Sequence, residues 1–216
     1  MRRGSRDAPL GASPLPSTPV LTRAFDAITA AIALAITSPL LAACALAIRL
    51  ETPGPVIYRQ RRVGRNGEPF EMLKLRTMVS GAEHIGAGLA VNEGDPRITR
   101  TGALLRRFSL DELPNLINVL KGEMSIVGPR PTVQVQVDQY TDRQKRRLEV
   151  KPGITGWAQV NGRTSLPWNE RIELDVWYVD HRSLKLDAQI LARTIRMLVT
   201  GEGLYKGETG GWKPVE

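Results

Sequence analysis

AITAAIALAITSPLLAACALAI, residues 27–48, carries no charged side chain, and its reading decides what the rest of the chain can be. It is about as long as the ~20 apolar residues a straight helix needs to cross a bilayer. A buried helix of a soluble domain is the alternative, but an apolar run this long and uniform points to lipid. Two features argue against a simple crossing. Ser38-Pro39 sits near the middle, where proline removes a backbone donor and crowds the preceding turn, so a kink is expected there. Both flanks are also basic, with Arg2, Arg3, Arg6 and Arg23 upstream and Arg49, Arg59, Arg61, Arg62 and Arg65 downstream. A spanning helix normally keeps its positive flank on the cytoplasmic side alone. The pattern favours a re-entrant helix that enters one leaflet, bends at Ser38-Pro39 and returns, leaving the bulk of the chain on the cytoplasmic face. A cleaved secretory signal fits poorly: the run starts late, is long for such a signal, and no clear small-residue cleavage site precedes Arg49.

Outside this run, the 216 residues leave room for one ordinary domain. Residues 1–20 are rich in Pro, Ser and Gly and read as a disordered arm. The net charge of +8 calls for an anionic partner: nucleic acid, acidic headgroups or a phosphorylated substrate. The lone Cys44 excludes an intrachain disulfide framework, and two distant histidines, His84 and His181, argue against a His-rich zinc site.

The domain proper is expected over 51–203, after a membrane element at 21–50 and before a tail at 204–216. ETPGP (51–55) is a turn, VIYRQRRVG (56–64) a strand, Asn66-Gly67 a hairpin signal and PFEMLKLRTM (69–78) the return strand. Lys74 and Arg76 alternate with Leu73 and Leu75 and so share one strand face, either simply solvated or turned to lipid phosphates. Residues 81–102 are glycine-rich and aperiodic and suggest a loop. A short helix over 101–108 brings Arg106 and Arg107 just ahead of a carboxylate pair, Asp111-Glu112. Leu113, Leu116, Ile117 and Leu120 then follow an amphipathic helical spacing that Gly122 stops. Residues 184–200 form a second amphipathic helix, able to pack on the core or lie on a membrane surface.

The pair Asp111-Glu112 has a plain structural reading. Ser109 with Glu112 three residues on matches a capping box, and acidic residues suit a first helical turn. Pro114 disturbs that reading, because it is better tolerated if the helix starts at Asp111. The chemical reading is that one carboxylate binds a divalent ion while the other attacks phosphorus. Mg²⁺ takes one or two carboxylates completed by substrate phosphate oxygens, which suits a chain this poor in ligands. Arginines to neutralise phosphate are at hand in Arg106, Arg107, Arg130 of GPRP and Arg163 of NGR. Glycine turns around Trp157 and Gln159 offer backbone N–H groups for an anion nest. Asp175 and Asp180, in ELDVWYVD, either orient an arginine or form structural salt bridges.

KLRTM (74–78), DPRITRTGALLRRFSLDELPNLINVLKGEMSIVGPRP (95–131) and KPGITGWAQVNGR (151–163) together resemble the bacterial sugar transferases, the monotopic polyprenyl-phosphate phosphoglycosyl transferases, over about residues 20–203. The resemblance implies an α+β monotopic membrane protein: an N-terminal re-entrant kinked helix, broken at Ser38 and Pro39, with a compact cytosolic domain of helices and a small β-hairpin or sheet. It implies Asp111 as the nucleophile on the β-phosphorus of a UDP-sugar, releasing UMP through a covalent aspartyl-phosphosugar intermediate that undecaprenyl phosphate then takes up. Glu112 would bind Mg²⁺, with Mn²⁺ as an alternative, and Arg106 and Arg163 match arginines of that site. Arg130, Lys74, Arg76, Gln159 and Asp175 complete the substrate-binding set expected here. The chain resembles the family's minimal form, and the glycine- and alanine-rich stretch at 86–90 reads as its own loop variation.

The expected setting is the bacterial inner membrane, with membrane lipids and downstream glycosyltransferases as partners and a homodimer left open. Nucleic acid is not expected, since no helix concentrates basic residues as a groove reader would. The rival readings are a membrane-anchored Mg-dependent phosphohydrolase, which usually groups more ligands than this chain does, and a non-enzymatic basic membrane adaptor, which would tolerate loss of both carboxylates.

Overall fold

The computed structural model describes residues 20–85, 94–162 and 166–200. The expected arm before Val20, the tail, the stretch at 86–90 and Arg163 lie outside the described residues. The apolar run forms the core of helix α1, Val20–Glu51. At 32 residues it is about 48 Å long. Its outer side is bare: Ile28, Ile32, Ile36 and Leu46 are 60, 56, 73 and 60% exposed, a continuous apolar ridge of the kind that suits lipid.

Helical structure runs unbroken through Ser38-Pro39. Pro39 has no N–H for the carbonyl of Ala35, and the Ser38 hydroxyl supplies the missing donor at 2.9 Å. Beside it, the Thr37 hydroxyl donates to Ala33 O. The serine before the proline therefore repairs the helix it interrupts, which matters where no water is available to do so.

Both ends of α1 dock on the same domain. Near the start, Arg23 donates to the carbonyls of Val119 and Leu120, and the buried Asp26 carboxylate accepts from Ser125 Oγ at 2.8 Å and Ile126 N at 3.0 Å. Near the end, Cys44 and Ile48 pack with Leu75 and Leu105, and Glu51 accepts from the backbone N–H groups of Arg100 and Thr101. A crossing helix leaves its ends on opposite sides of a bilayer. One with both ends fixed to a single domain does not cross, and the fold is monotopic.

The domain is mixed α and β. Strands β1 (Ile57–Val63) and β2 (Pro69–Leu75) form an antiparallel hairpin in the register Ile57↔Leu75 to Val63↔Pro69. Its turn contains Asn66 and Gly67, both at positive φ, as the Asn-Gly signal predicts. Helix α2 (Arg100–Arg107) is capped by the Thr99 hydroxyl accepting from Gly102 N, and helix α3 (Asn115–Lys121) ends at Gly122, in the left-handed region. A second sheet, not foreseen as a separate element, pairs β3 (Ser125–Val127) in parallel with β4 (Gly153–Thr155). The short helices α4 (Gln134–Val137), α5 (Asp142–Lys145) and α6 (Trp157–Val160) precede α7 (Trp168–His181) and α8 (Leu184–Thr200). Phe70, Met72, Val119, Met124, Ile126 and Ile190 fill the main core, against which Ala30 of α1 is fully buried.

The amphipathic face expected for α3 is displaced. Asn115, Leu116, Asn118 and Val119 are buried, while Ile117 and Leu120 are 36 and 38% exposed. Asn118 makes the difference. Its amide donates to Glu71 O and the Glu123 carboxylate and accepts from Leu73 N, so a polar side chain holds the inner face against β2.

Asp26→Ala removes an acceptor from two buried donors and should cost about 2 kcal/mol or more, a fall in melting midpoint of roughly 4–8 °C in detergent solution. Asp26→Asn, which keeps one acceptor oxygen, should lose less.

Candidate active site

The chain between α2 and α3 does not form the capping box that the spacing suggests. Ser109 lies at φ 54° and its side chain caps nothing. That left-handed conformation costs a non-glycine residue about 1 kcal/mol, and it turns the chain sharply into a single 3₁₀ turn, Leu110–Glu112. Helix α3 begins only at Asn115, with Pro114 as its flanking residue, so Pro114 interrupts no helical hydrogen bond. Asp111 and Glu112 are thus held on a strained tight turn between two helices, a setting that a packing role does not require.

The two carboxylates differ sharply. Glu112, with a side chain 15% exposed, accepts from Lys74 Nζ at 2.9 Å and from Arg130 at 2.5 and 3.3 Å. Burial alone would raise its pKa, but Arg130 and Lys74 override that and hold it well below the usual carboxylate range. Asp111 accepts no side-chain or backbone hydrogen bond among the described residues. Its pKa is raised, first by burial and then by the Glu112 charge, while Lys74, Arg106 and Arg130 pull against the shift. One carboxylate is clamped and ionised; its neighbour is left free and less willing to ionise. Lys74 is itself depressed by burial, against the pull of Glu112.

The remaining expected residues separate into those at this turn and those behind it. Arg106 donates Nε to the Thr77 hydroxyl at 2.8 Å and acts electrostatically on Asp111. Arg76 shares strand parity with Lys74 but sits just past the end of β2 and turns away. It is buried and gives its guanidinium to the carbonyls of Thr52 and Pro53, bracing the exit from α1. Asp175 of α7 meets neither carboxylate. It accepts from Arg147 at 2.5 Å, and Arg147 also donates to the backbone oxygen of Arg130 at 2.9 Å and to the Tyr140 hydroxyl. Asp175 therefore acts on Arg130 through Arg147. Gln159, on α6, donates to Ile154 O, and its buried Oε1 has no partner.

The anion nest expected in the glycine turns does not form at Gly153. Ser125 N and Gly153 N donate to Pro152 O and Pro129 O, and Gly128 N to Thr155 O. A Cβ at Gly153 would lie 2.1 Å from Gly128 N, and one at Gly156 would lie 2.1 Å from Gly128 O. Glycine here permits two backbones to cross in contact, which fixes the GPRP corner and with it Arg130. Sequence reasoning missed Asn118, Arg147 and Tyr140. A buried polar side chain that bonds across 45 or so residues leaves no local periodicity to read.

Fold and site together describe a membrane-docked domain with a paired-carboxylate turn set among cations. A sequence profile of the family Bacterial sugar transferase matches residues 17–201. The chain belongs to that family. It is 45% identical to the uncharacterized sugar transferase EpsL of Bacillus subtilis, over 87% of this chain and 91% of that protein. It is 42% identical to a UDP-glucose:undecaprenyl-phosphate glucose-1-phosphate transferase of Caulobacter vibrioides, over 91% of this chain and 76% of the relative. Identity is 43% to a UDP-N-acetylgalactosamine-undecaprenyl-phosphate N-acetylgalactosaminephosphotransferase of Aeromonas hydrophila, over 88% of this chain but 46% of that longer protein.

The raised pKa of Asp111 carries a sign for stability. The folded state prefers its protonated form, so this group's contribution is full at low pH and is lost as pH rises through the folded value. Asp111→Asn, a neutral isostere, should melt above wild type at pH 7. The difference should vanish below the ordinary aspartate range, where both carry no charge.

Proposed function

We propose that the chain transfers a sugar 1-phosphate from a UDP-sugar to undecaprenyl phosphate, at the cytoplasmic face of the bacterial inner membrane. The observation that carries this reading is the contrast between an unbonded Asp111 and a Glu112 clamped by Lys74 and Arg130. A nucleophile needs a free lone pair and a strong enough basicity, and a carboxylate raised by burial has both. Support for the substrate class comes from the names of the Caulobacter and Aeromonas relatives, and support for the location from the basic flanks of α1.

An Asp111 oxygen attacks the β-phosphorus, and the bond from that phosphorus to the bridging oxygen breaks, so UMP leaves with the electron pair. An oxygen of the polyprenyl phosphate then attacks the same phosphorus and expels Asp111, giving the polyprenyl-diphosphate-sugar with no net proton change. Arg106 and Arg130 face the phosphate oxygens as charge builds, and Arg163 is assigned with them by family motif. Lys74 pulls against the upward shift of Asp111 and holds Glu112 in place. Arg147 and Asp175 fix Arg130 from behind. Downstream glycosyltransferases would extend the lipid-linked product.

Mg²⁺, or Mn²⁺ in its place, fits the donor set at this turn. Among the described residues no group of three or more metal-ligating side chains exists, so an all-protein cage is not what the site offers. Glu112 Oε2 takes only the longer 3.3 Å contact from Arg130, and Asp111 takes none, which leaves carboxylate lone pairs for an ion completed by phosphate oxygens. When bound, the ion would neutralise phosphate charge beside Glu112.

Purified protein with Mg²⁺, undecaprenyl phosphate and a panel of UDP-glucose, UDP-galactose and N-acetylated or diamino UDP-sugars should release UMP from at least one donor. Asp111→Asn should cut that rate about a thousandfold or more. No UMP from any donor, or full activity in the variant, would sink the mechanism. The pH profile should show an acid limb above the ordinary aspartate range. Lys74→Gln should push it higher, because Lys74 exerts the largest downward pull on Asp111.

A further inference from the structure

Arg171 stands in the opening turns of α7 with no hydrogen-bond partner for its side chain among the described residues. Its Nε is buried without a hydrogen bond, and among the described residues no hydrogen bond or ion pair reaches its side chain. A half-buried guanidinium in that state is costly, because it gives up water and receives no hydrogen bond in return, only the more distant pull of the Asp175 charge. Its surroundings add to the cost. Arg130 and Arg147 both act on it repulsively, and the positive end of α7 lies alongside.

The carboxylates within reach are already taken. Asp175, one helical turn further along α7, accepts from Arg147, and Glu112 accepts from Lys74 and Arg130. Arg62 adds to the same excess. It is repelled by Arg130, its donors go to Gln60 and the Pro131 carbonyl, and burial with that repulsion lowers its pKa to about 10. Cations from three parts of the chain thus act on or bond to Arg130: Arg62 from the hairpin, Arg147 from the segment after α5, and Arg171 from α7. The first two have their hydrogen-bond partners within the protein. Arg171 does not, and a guanidinium fork is shaped for two oxygens of one phosphate.

We propose that Arg171 is a phosphate-binding residue of the substrate site, taking an anionic phosphate oxygen beside Arg130. The phosphate belongs either to the diphosphate of a nucleoside diphosphate sugar or to the lipid phosphate that accepts the sugar. This rests on the donor and acceptor chemistry proposed above and adds to it a residue outside the three motifs that mark the family resemblance. Its partnerless state is explained by the ligand it meets, just as the partnered states of Arg62 and Arg147 are explained by the fold.

The test varies the two substrates separately, with UMP release as the readout, in wild type, Arg171→Gln and Arg171→Lys. Arg171→Gln should raise one KM by about tenfold or more, with a smaller change in kcat and an unchanged melting midpoint. Arg171→Lys should recover most of that loss, since it keeps the charge. A raised KM for the UDP-sugar assigns the phosphate to the donor, and a raised KM for undecaprenyl phosphate assigns it to the acceptor. Both KM values within about twofold of wild type overturn the inference, whether or not the melting midpoint falls. If wild type releases no UMP from any donor, the proposed function fails by itself. Calorimetric binding of uridine diphosphate and of undecaprenyl phosphate then decides on Arg171: weaker binding of either by Arg171→Gln supports it, and unchanged binding of both overturns it.

Discussion

The grip of Lys74 and Arg130 on Glu112 joins three parts of the chain that are far apart in sequence. Lys74 comes from the hairpin, Glu112 from the strained turn, and Arg130 from the corner between β3 and α4. Losing the Glu112 carboxylate would leave Lys74 a mostly buried charge without its counter-charge, so the hairpin and the turn are held in one arrangement, with Arg130 closing it from the more exposed side. Such a cluster is weak evidence for stability, but it strongly restricts geometry. It leaves Asp111, the adjacent residue, without a bond and aimed by the same turn.

Support for that cluster runs outward in two directions. Asn118 fastens α3 to β2, which fixes the distance between the turn and Lys74. Arg147 fastens the Arg130 backbone to α7 through Asp175, and the glycine contacts between β3 and β4 leave the corner no room to shift. A second requirement comes from the membrane helix. Its inward side carries Asp26 and Arg23, polar groups that bond to β3 and α3, while its outer side is apolar. The helix is therefore specified for two surroundings at once, lipid on one side and protein on the other.

What could be read in the sequence was local. The apolar run, the Asn-Gly hairpin and the amphipathic span of α8 depend on neighbouring residues and emerged at nearly their final bounds. Asp111 and Glu112 were visible as a pair, but their spacing after Ser109 imitates a capping box, and only the backbone at Ser109 separates the two readings. Lys74 and Arg76 shared a strand pattern yet serve different ends, because β2 stops between them. The β3–β4 pairing, Asn118 and the Arg147–Asp175 bridge were illegible, since each joins segments whose separation in sequence carries no periodic trace.

The double docking of α1 also acts as a depth gauge. A single tether would let a catalytic domain ride at any height and tilt over the bilayer, with linker length deciding the average. Here the apolar helix is pinned near both ends, by Arg23 and Asp26 at one and by Glu51 at the other, so the domain inherits the level at which that helix settles in lipid. Whatever occupies the Asp111–Glu112 turn is kept at one elevation, and a reactant confined to the membrane surface need search in two dimensions only.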